Sequence, residues 1–430
     1  MAMLGPRTVT FLALILIVAG CQKNPDDLPN NNNDSTDGNT GNADYGIAYF
    51  TTFGKNLVAY DLSKEKFLWT SPLTTASFGG GFQGGDLIYN DGRIYHSGLY
   101  SAAAVDASTG KPLWVAGFAN ESFQRQNASG DGPVIVDSFL YCTSYLNSGD
   151  HGLYAINTTS GKIIWQINLS NGLSYPGRRY IRPIIHQDKI YGIAQDDSHG
   201  ESNIFCCNRF NGNVIWSLRY EYGYATRGSL IKDDSLLIVG CEGNTYLSAY
   251  NLNTGKNEWT FNIKGSSTFS AGEMFLKNNK LYATDYWKQN LFVVDIPSQT
   301  ATELPYIDEA KTNKYPDDMY FMSADNIFRF DIAKQQVAWN WESPLKAFND
   351  STRASSDYNY MYERFVVGDK YVYSQVGVFP ILREDSLKIV LSVDILDNTS
   401  GELVKKLDLP KTFDNIWTNM FTINRDGKGY

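Results

Sequence analysis

The sequence predicts an all-β protein: an eight-bladed β-propeller of four-stranded antiparallel blades, closed by pairing of N- and C-terminal strands in one blade. Three observations predict it. A short turn-and-strand unit recurs eight times beyond Asp44, each copy is preceded by two apolar runs around a polar turn, and both chain ends read as parts of a blade. Length alone suggests otherwise, since 430 residues at roughly 150 per domain give about three domains. A repeat register overrides that prior, because stacked repeats bury one another and form a single array.

The clearest copy of the unit is Ala104-Val105-Asp106-Ala107-Ser108-Thr109-Gly110-Lys111-Pro112-Leu113-Trp114, with an Asx residue, Gly four places on and Trp eight places on. It returns as Asn157/Gly161/Trp165, Asn208/Gly212/Trp216 and Asn251/Gly255/Trp259. Degenerate copies are Asp61/Glu65/Trp69, Asp295/Gln299/Glu303, Asp331/Gln335/Trp339 and Asp397/Gly401/Lys405, so the Asx stands eight times, the Trp six and the Gly five. The apolar run before each Asx, such as Gly152-Leu153-Tyr154-Ala155-Ile156, reads as a strand. Asx bonds its own backbone and Gly accepts a positive φ, so together they make a tight turn that delivers the Trp to the next strand. Upstream hairpins, such as Leu87 to Tyr95 around Asn90-Asp91-Gly92, complete four strands per blade. The Asx positions are 45, 51, 51, 43, 44, 36 and 66 residues apart.

The ends supply closure. Met420 to Tyr430 reads as the first hairpin of a blade that stops halfway, and Tyr45 to Phe50 begins halfway through one. Together they make blade 1, with the C-terminal segment as its innermost strand, so that no sheet edge stays open at the axis. Blade 7 shows no obvious innermost strand between Ile307 and Met319, and blades 6 and 8 lack the Trp.

The first 44 residues read differently. Residues 1–20 hold Arg7 and an apolar run from Val9 to Val18, too short for an ordinary membrane-spanning helix and typical of an export signal. The run closes on Val18-Ala19-Gly20-Cys21, which resembles the lipobox of bacterial lipoproteins; the resemblance implies a lipid on Cys21. Residues 21–44, with Asn30 to Asn33 and scarcely any apolar side chain, read as a flexible Asn-rich tether. The propeller takes residues 45–430. The expected location is outside the cytoplasm, anchored to the outer membrane by the lipid and facing the periplasm or the cell surface. The net charge of −9 argues against nucleic acid, whose binding depends on Lys and Arg releasing counterions.

The Ala-x-Asp-x-x-Thr-Gly-x-x-x-Trp unit resembles the docking motif of PQQ-type propellers, a superfamily that holds quinoprotein alcohol dehydrogenases and the non-enzymatic BamB-like lipoproteins. The resemblance spans Tyr45 to Tyr430 and implies that Trp69, Trp114, Trp165, Trp216, Trp259 and Trp339 pack on neighbouring blades. An anchor followed by one propeller is the BamB-like layout. It implies a non-enzymatic scaffold without cofactor, metal or catalytic residue, whose partners are envelope proteins such as components of outer-membrane protein assembly. Two other readings stand beside it: a quinoprotein dehydrogenase requiring PQQ and Ca2+, and a surface lipoprotein that binds glycans or other ligands.

Cys206-Cys207 bears on the dehydrogenase reading, since those enzymes set a vicinal disulfide against their cofactor. Aligned on Asn208, however, the pair falls where another repeat has Ala104 and Val105, inside a strand, and reads as buried and structural. With Cys142 and Cys241 these cysteines allow three complete pairings, which the sequence leaves open. His96, His151, His186 and His199 show no metal-ligand spacing. The stretch Gln195 to Glu201 reads as a solvated acidic turn, and Gly79 to Gly85 lacks the Gly-Lys-Ser/Thr of a phosphate loop.

A candidate binding rim remains. The connections from each blade's outer strand to the next blade's inner strand carry Phe123 with Arg125, Tyr175 with Arg178 and Arg179, Tyr222 and Tyr224 with Arg227, Phe269, and Tyr360 with Tyr362 and Arg364. These connections share one face of a propeller, and Tyr and Arg dominate binding hot spots. A cationic, aromatic funnel is therefore expected around the axis.

Overall fold

The structure is a computed structural model that describes residues 43–51, 56–72, 87–97, 101–118, 133–145, 151–169, 179–180, 183–196, 201–220, 224–242, 246–262, 271–285, 290–305, 309–311, 318–323, 326–342, 364–377, 391–409, 421–426 and 428–429. Its strands form eight antiparallel sheets, which are the eight expected blades. Blade 2 shows the pattern, with Ile88–Asn90, Arg93–Ser97, Ser101–Asp106 and Pro112–Gly117 paired in chain order. First strands of neighbouring blades lie against one another: Tyr224–Lys232 against Ala271–Lys277, and Arg364–Val367 against Phe421–Arg425. First strands are therefore axial and fourth strands form the outer edge. Along the fourth strand of blade 2 only Trp114 and Ala116 are buried.

Each Asx folds its turn as the sequence predicts. Asp106 Oδ1 accepts the Ser108 and Thr109 amides at 3.1 and 2.8 Å, and Asn157, Asn208, Asn251 and Asp397 repeat the pair of bonds. Hydrogen bonding holds the Asp106 and Asp397 carboxyls below the usual value.

The core is distributed. Eight apolar clusters occupy the eight seams between blades, one per seam; Tyr95, Ala104 and Trp114 of blade 2, for example, meet Leu140, Tyr154 and Ile156 of blade 3. The cluster joining Tyr371, Tyr373 and Ile395 of blade 8 to Ala48, Phe50 and Tyr60 of blade 1 closes the ring.

Three details depart from a uniform ring. Blade 1 is five-stranded, in the order Lys66–Pro72, Asn56–Asp61, Ile47–Thr51, Phe421–Arg425, Lys428–Gly429. The N-terminal side thus supplies three strands, and the blade is cut after its first strand rather than halfway. Gly46 marks the cut: Leu62 N–H donates to its carbonyl at 3.0 Å, as Ala107 N–H donates to that of Gly92 at 2.9 Å. Because Ile47–Thr51 already fills the second place, the end of the C-terminal hairpin turns to the axial side. In blade 4 the axial strand is split into Arg179–Tyr180 and Ile184–His186, both paired with Lys189–Asp196. In blade 7 it is Glu309–Lys311, a three-residue segment with no apolar run to announce it.

Candidate functional site: the blade seams and the axial rim

The repeat residues act between blades. Trp69 Nε1 donates to Ala107 O at 3.0 Å, Trp114 to Thr158 O at 2.9 Å, Trp165 to Arg209 O at 2.9 Å, Trp216 to Leu252 O at 3.0 Å and Trp339 to Asn398 O at 2.9 Å. Each acceptor is the residue after the Asx of the next blade. The Gly of that next blade rests on the same indole. A Cβ added at Gly110, Gly161, Gly212, Gly255 or Gly401 would lie 2.5–2.8 Å from the ring of Trp69, Trp114, Trp165, Trp216 or Trp339 respectively. The repeat Gly thus meets two demands, a positive φ of 69–75° and a flat seat for the preceding blade's indole.

A tyrosine that sequence reasoning missed completes the clasp. Tyr49 OH donates to Ala107 O at 3.3 Å, Tyr141 OH to Arg209 O at 3.2 Å and Tyr191 OH to Leu252 O at 3.2 Å, on the carbonyls already held by indoles. This residue lies on the second strand, opposite the residue two before the Asx. The place holds Tyr49, Tyr95, Tyr141, Tyr191, Tyr282, Tyr320 and Tyr373, and only blade 5 differs, with Ile238. The signal was present as Ile-Tyr two residues past the first turn in Arg93-Ile94-Tyr95 and Lys189-Ile190-Tyr191. Burial pushes the Tyr49 hydroxyl up to about 12, so it remains a donor.

Three seams lack the full clasp. Trp259 packs with Phe261 at a 5.3 Å ring separation and faces blade 6, whose matching residue is Gln299; among the described residues its indole makes no bond to the next blade. Between blades 6 and 7 the Trp and Gly places hold Glu303 and Gln335, and Gln335 Nε2 donates to Tyr282 OH and to Ile332 O at 2.6 Å each. Between blades 8 and 1 they hold Lys405 and Glu65, which form an ion pair at 2.7 Å.

Of the rim residues, Arg125, Tyr175, Arg178, Tyr222 and Tyr362 lie outside the described residues, as do Phe123, Phe269, Tyr360, Cys21 and the signal and most of the tether. Arg179, Tyr224, Arg227 and Arg364 lie on axial strands. Arg179 pairs with Gln195, Tyr224 with Glu242 and Arg364 with Gln375, each near the end of a second strand; Arg227 falls in the bulge between Ala225 and Ser229. Their backbones thus share the end of the ring that carries the connections between second and third strands.

Cys142, Cys206 and Cys207 are buried free thiols. Cys206 packs toward blade 5 with Leu237 and Tyr250, and Cys207 toward blade 3 with Tyr141 and Leu153. Neighbours on a strand point to opposite faces, so these two sulfurs serve different seams. Burial raises both thiols, Cys206 to about 11, which makes them poor nucleophiles. His96 is buried and pushed down to about 3 by desolvation. Among the described residues no three His, Cys, Asp or Glu side chains gather where they could hold a metal, and no helix is long and apolar enough to cross a membrane.

Known proteins align with this architecture. The family model for outer membrane protein assembly factor BamB matches residues 30–260 and 100–341. No curated protein sequence matches the chain. Among solved structures, the dihydro-heme d1 dehydrogenase NirN superposes with a TM-score of 0.56 at 12% identity, covering 88% of this chain and 76% of that one. AztD from Citrobacter koseri gives 0.56 at 10% identity over 89% and 98% of the two chains. A quinohemoprotein alcohol dehydrogenase from Comamonas testosteroni gives 0.50 at 12% identity over 77% and 69%. At such identities these structures share the propeller fold and nothing further follows from them. The family model spans most of the ring and matches its repeats, and on that ground the chain belongs to the outer membrane protein assembly factor BamB family.

Proposed function

We propose that the protein is a non-enzymatic, lipid-anchored scaffold of the cell envelope, which uses the axial rim bearing Arg179, Tyr224, Arg227 and Arg364 to hold a protein partner. The partner class is a component of outer-membrane protein assembly, in keeping with the family. One observation carries the choice of face: Arg179, Tyr224, Arg227 and Arg364 come from three different blades, yet their backbones meet the same end of the axial strands. Among the described residues five indoles and several second-strand tyrosines are engaged in the seams, and Tyr and Arg, the types gathered at the rim in the sequence, dominate binding hot spots.

The Arg178→Ala, Arg179→Ala, Arg227→Ala triple variant tests this reading. Crosslinking of membranes followed by affinity capture of the lipidated chain is expected to recover assembly components with the natural chain and to lose them with the variant, at an unchanged melting temperature. Equal recovery would move the docking face elsewhere. Dye-linked alcohol oxidation by the purified chain with added PQQ and Ca2+ would instead favour the dehydrogenase reading.

A further inference from the structure

We infer that the seam between blades 8 and 1 is an ionic latch, weakened by salt, at the point where the chain enters the ring. In five seams the outer edge is fastened by an indole seated on a glycine of the next blade. Here the same two places carry Lys405 and Glu65, joined at 2.7 Å, and Glu65 keeps the left-handed turn with a φ of 53°. The turn geometry is retained while the apolar clasp is exchanged for a charge pair. The Glu65 side chain is 56% exposed and that of Lys405 24%, so solvent and ions reach the contact.

Charge recurs along the seam. Lys405 Nζ also lies 5.3 Å from the Tyr45 ring, which itself packs at 5.3 Å against Tyr371 of blade 8. At the axial end Lys428 of blade 1 pairs with Asp369 of blade 8 at 2.9 Å, and the Arg425 guanidinium stands 5.4 Å from the Tyr371 ring. Tyr45 N–H is in turn tied to Ser63 Oγ at 2.8 Å, and Gly46 N–H to Asp44 Oδ1 at 2.9 Å. An apolar strip holds the middle of the seam, while its two margins, and the arm Asp44–Gly46 at one of them, are held by ion pairs and cation–π contacts. Exposed ion pairs are individually weak and screened by salt, whereas an indole on a glycine is not.

The seam between blades 6 and 7 supplies a control, because it also lacks the indole but is bridged by the uncharged Gln335–Tyr282 bond. Amide hydrogen exchange of the full chain between 0.05 and 1 M NaCl separates the cases. Peptides covering residues 44–51 and 421–425 are expected to exchange about two- to fivefold faster at high salt. Peptides of the blade 2/3 and blade 6/7 seams should stay constant.

The Lys405→Trp, Glu65→Gly pair rebuilds the clasp and is expected to flatten the salt response at the low-salt rate. Should that pair fail to fold, Lys405→Met is expected to flatten it at the high-salt rate. A salt response spread equally over all seams, or one that survives Lys405→Met in residues 44–51, beside the Lys405–Glu65 pair, would overturn the latch. None of these outcomes depends on which partner the rim holds.

Discussion

Single residues in this ring carry two constraints at once, and substitutions can separate them. Gly161 has a φ of +69° and the Trp114 ring 2.7 Å from where a Cβ would sit, whereas Gly92 has a φ of +71° and nothing within 4 Å. Gly92→Ala is therefore expected to cost about 1 kcal/mol for the left-handed backbone alone. Gly161→Ala adds displacement of the indole and should cost about 3 kcal/mol or more; urea unfolding of both variants measures the difference, and equal costs would disprove the seating role. Asp394 offers a second case. It is fully buried at a place where Tyr154, Phe205 and Phe292 stand in other blades; its Oδ1 accepts from Ser392 Oγ at 3.3 Å and its Oδ2 has no hydrogen-bond partner. Desolvation raises its carboxyl from 3.8 to about 6 despite Lys406 nearby. Between those values the folded chain keeps a proton that the unfolded chain has released, so stability falls as pH rises through the window and the deficit is complete above it. Asp394→Asn should stabilise the fold at pH 7.5, by on the order of 3 kcal/mol at most, and so raise the melting temperature there while leaving it nearly unchanged at pH 4. A gain that is equal at both pH values would rule out the buried charge as its cause.

At the scale of elements, legibility followed local chemistry. Asx turns and the strands on either side of them were readable, because Asp106 or Asn157 fixes its turn through its own neighbouring amides and needs no other blade. The axial strands were harder. Glu309–Lys311 is a strand because a neighbouring strand, Asp318–Ser323, offers it a backbone ladder, and its side chains give no period to detect. The cut in blade 1 is not legible for a related reason: Ile47–Thr51 and Phe421–Arg425 both look like hairpin strands, and only their mutual register, Ile47 opposite Asn424 and Phe50 opposite Phe421, decides which is second and which is first. The tyrosine clasp is legible only from the first turn, since it recurs at a fixed offset from that turn rather than from the Asx. The rim was legible as composition only. Its convergence depends on how the axial strands start, which no local pattern encodes.

For the whole molecule, the decisive fact is that stability is spread over eight seams and the last of them joins residues nearly a full chain length apart. Closing that seam brings Ile423 into the blade 8/1 cluster and gives Ile47–Phe50 a partner strand. Deleting residues 420–430 therefore removes the axial strand of blade 1, opens the edge of Ile47–Thr51 and uncovers part of that cluster. An open, apolar sheet edge pairs with whatever strand it meets, so the shortened chain should self-associate and melt at a lower temperature. The effect should be specific to closure: a synthetic peptide of residues 420–430 added to the shortened chain is expected to restore a monomer in size-exclusion chromatography and most of the lost melting temperature. Such rescue follows from a seam built mainly from one strand's ladder and a few side chains, which a free peptide can replace by mass action. A shortened chain that stays monomeric at the natural melting temperature would show that seven blades and three strands of the eighth suffice. The C-terminal strand would then be a cover on blade 1 and not the closure of the ring.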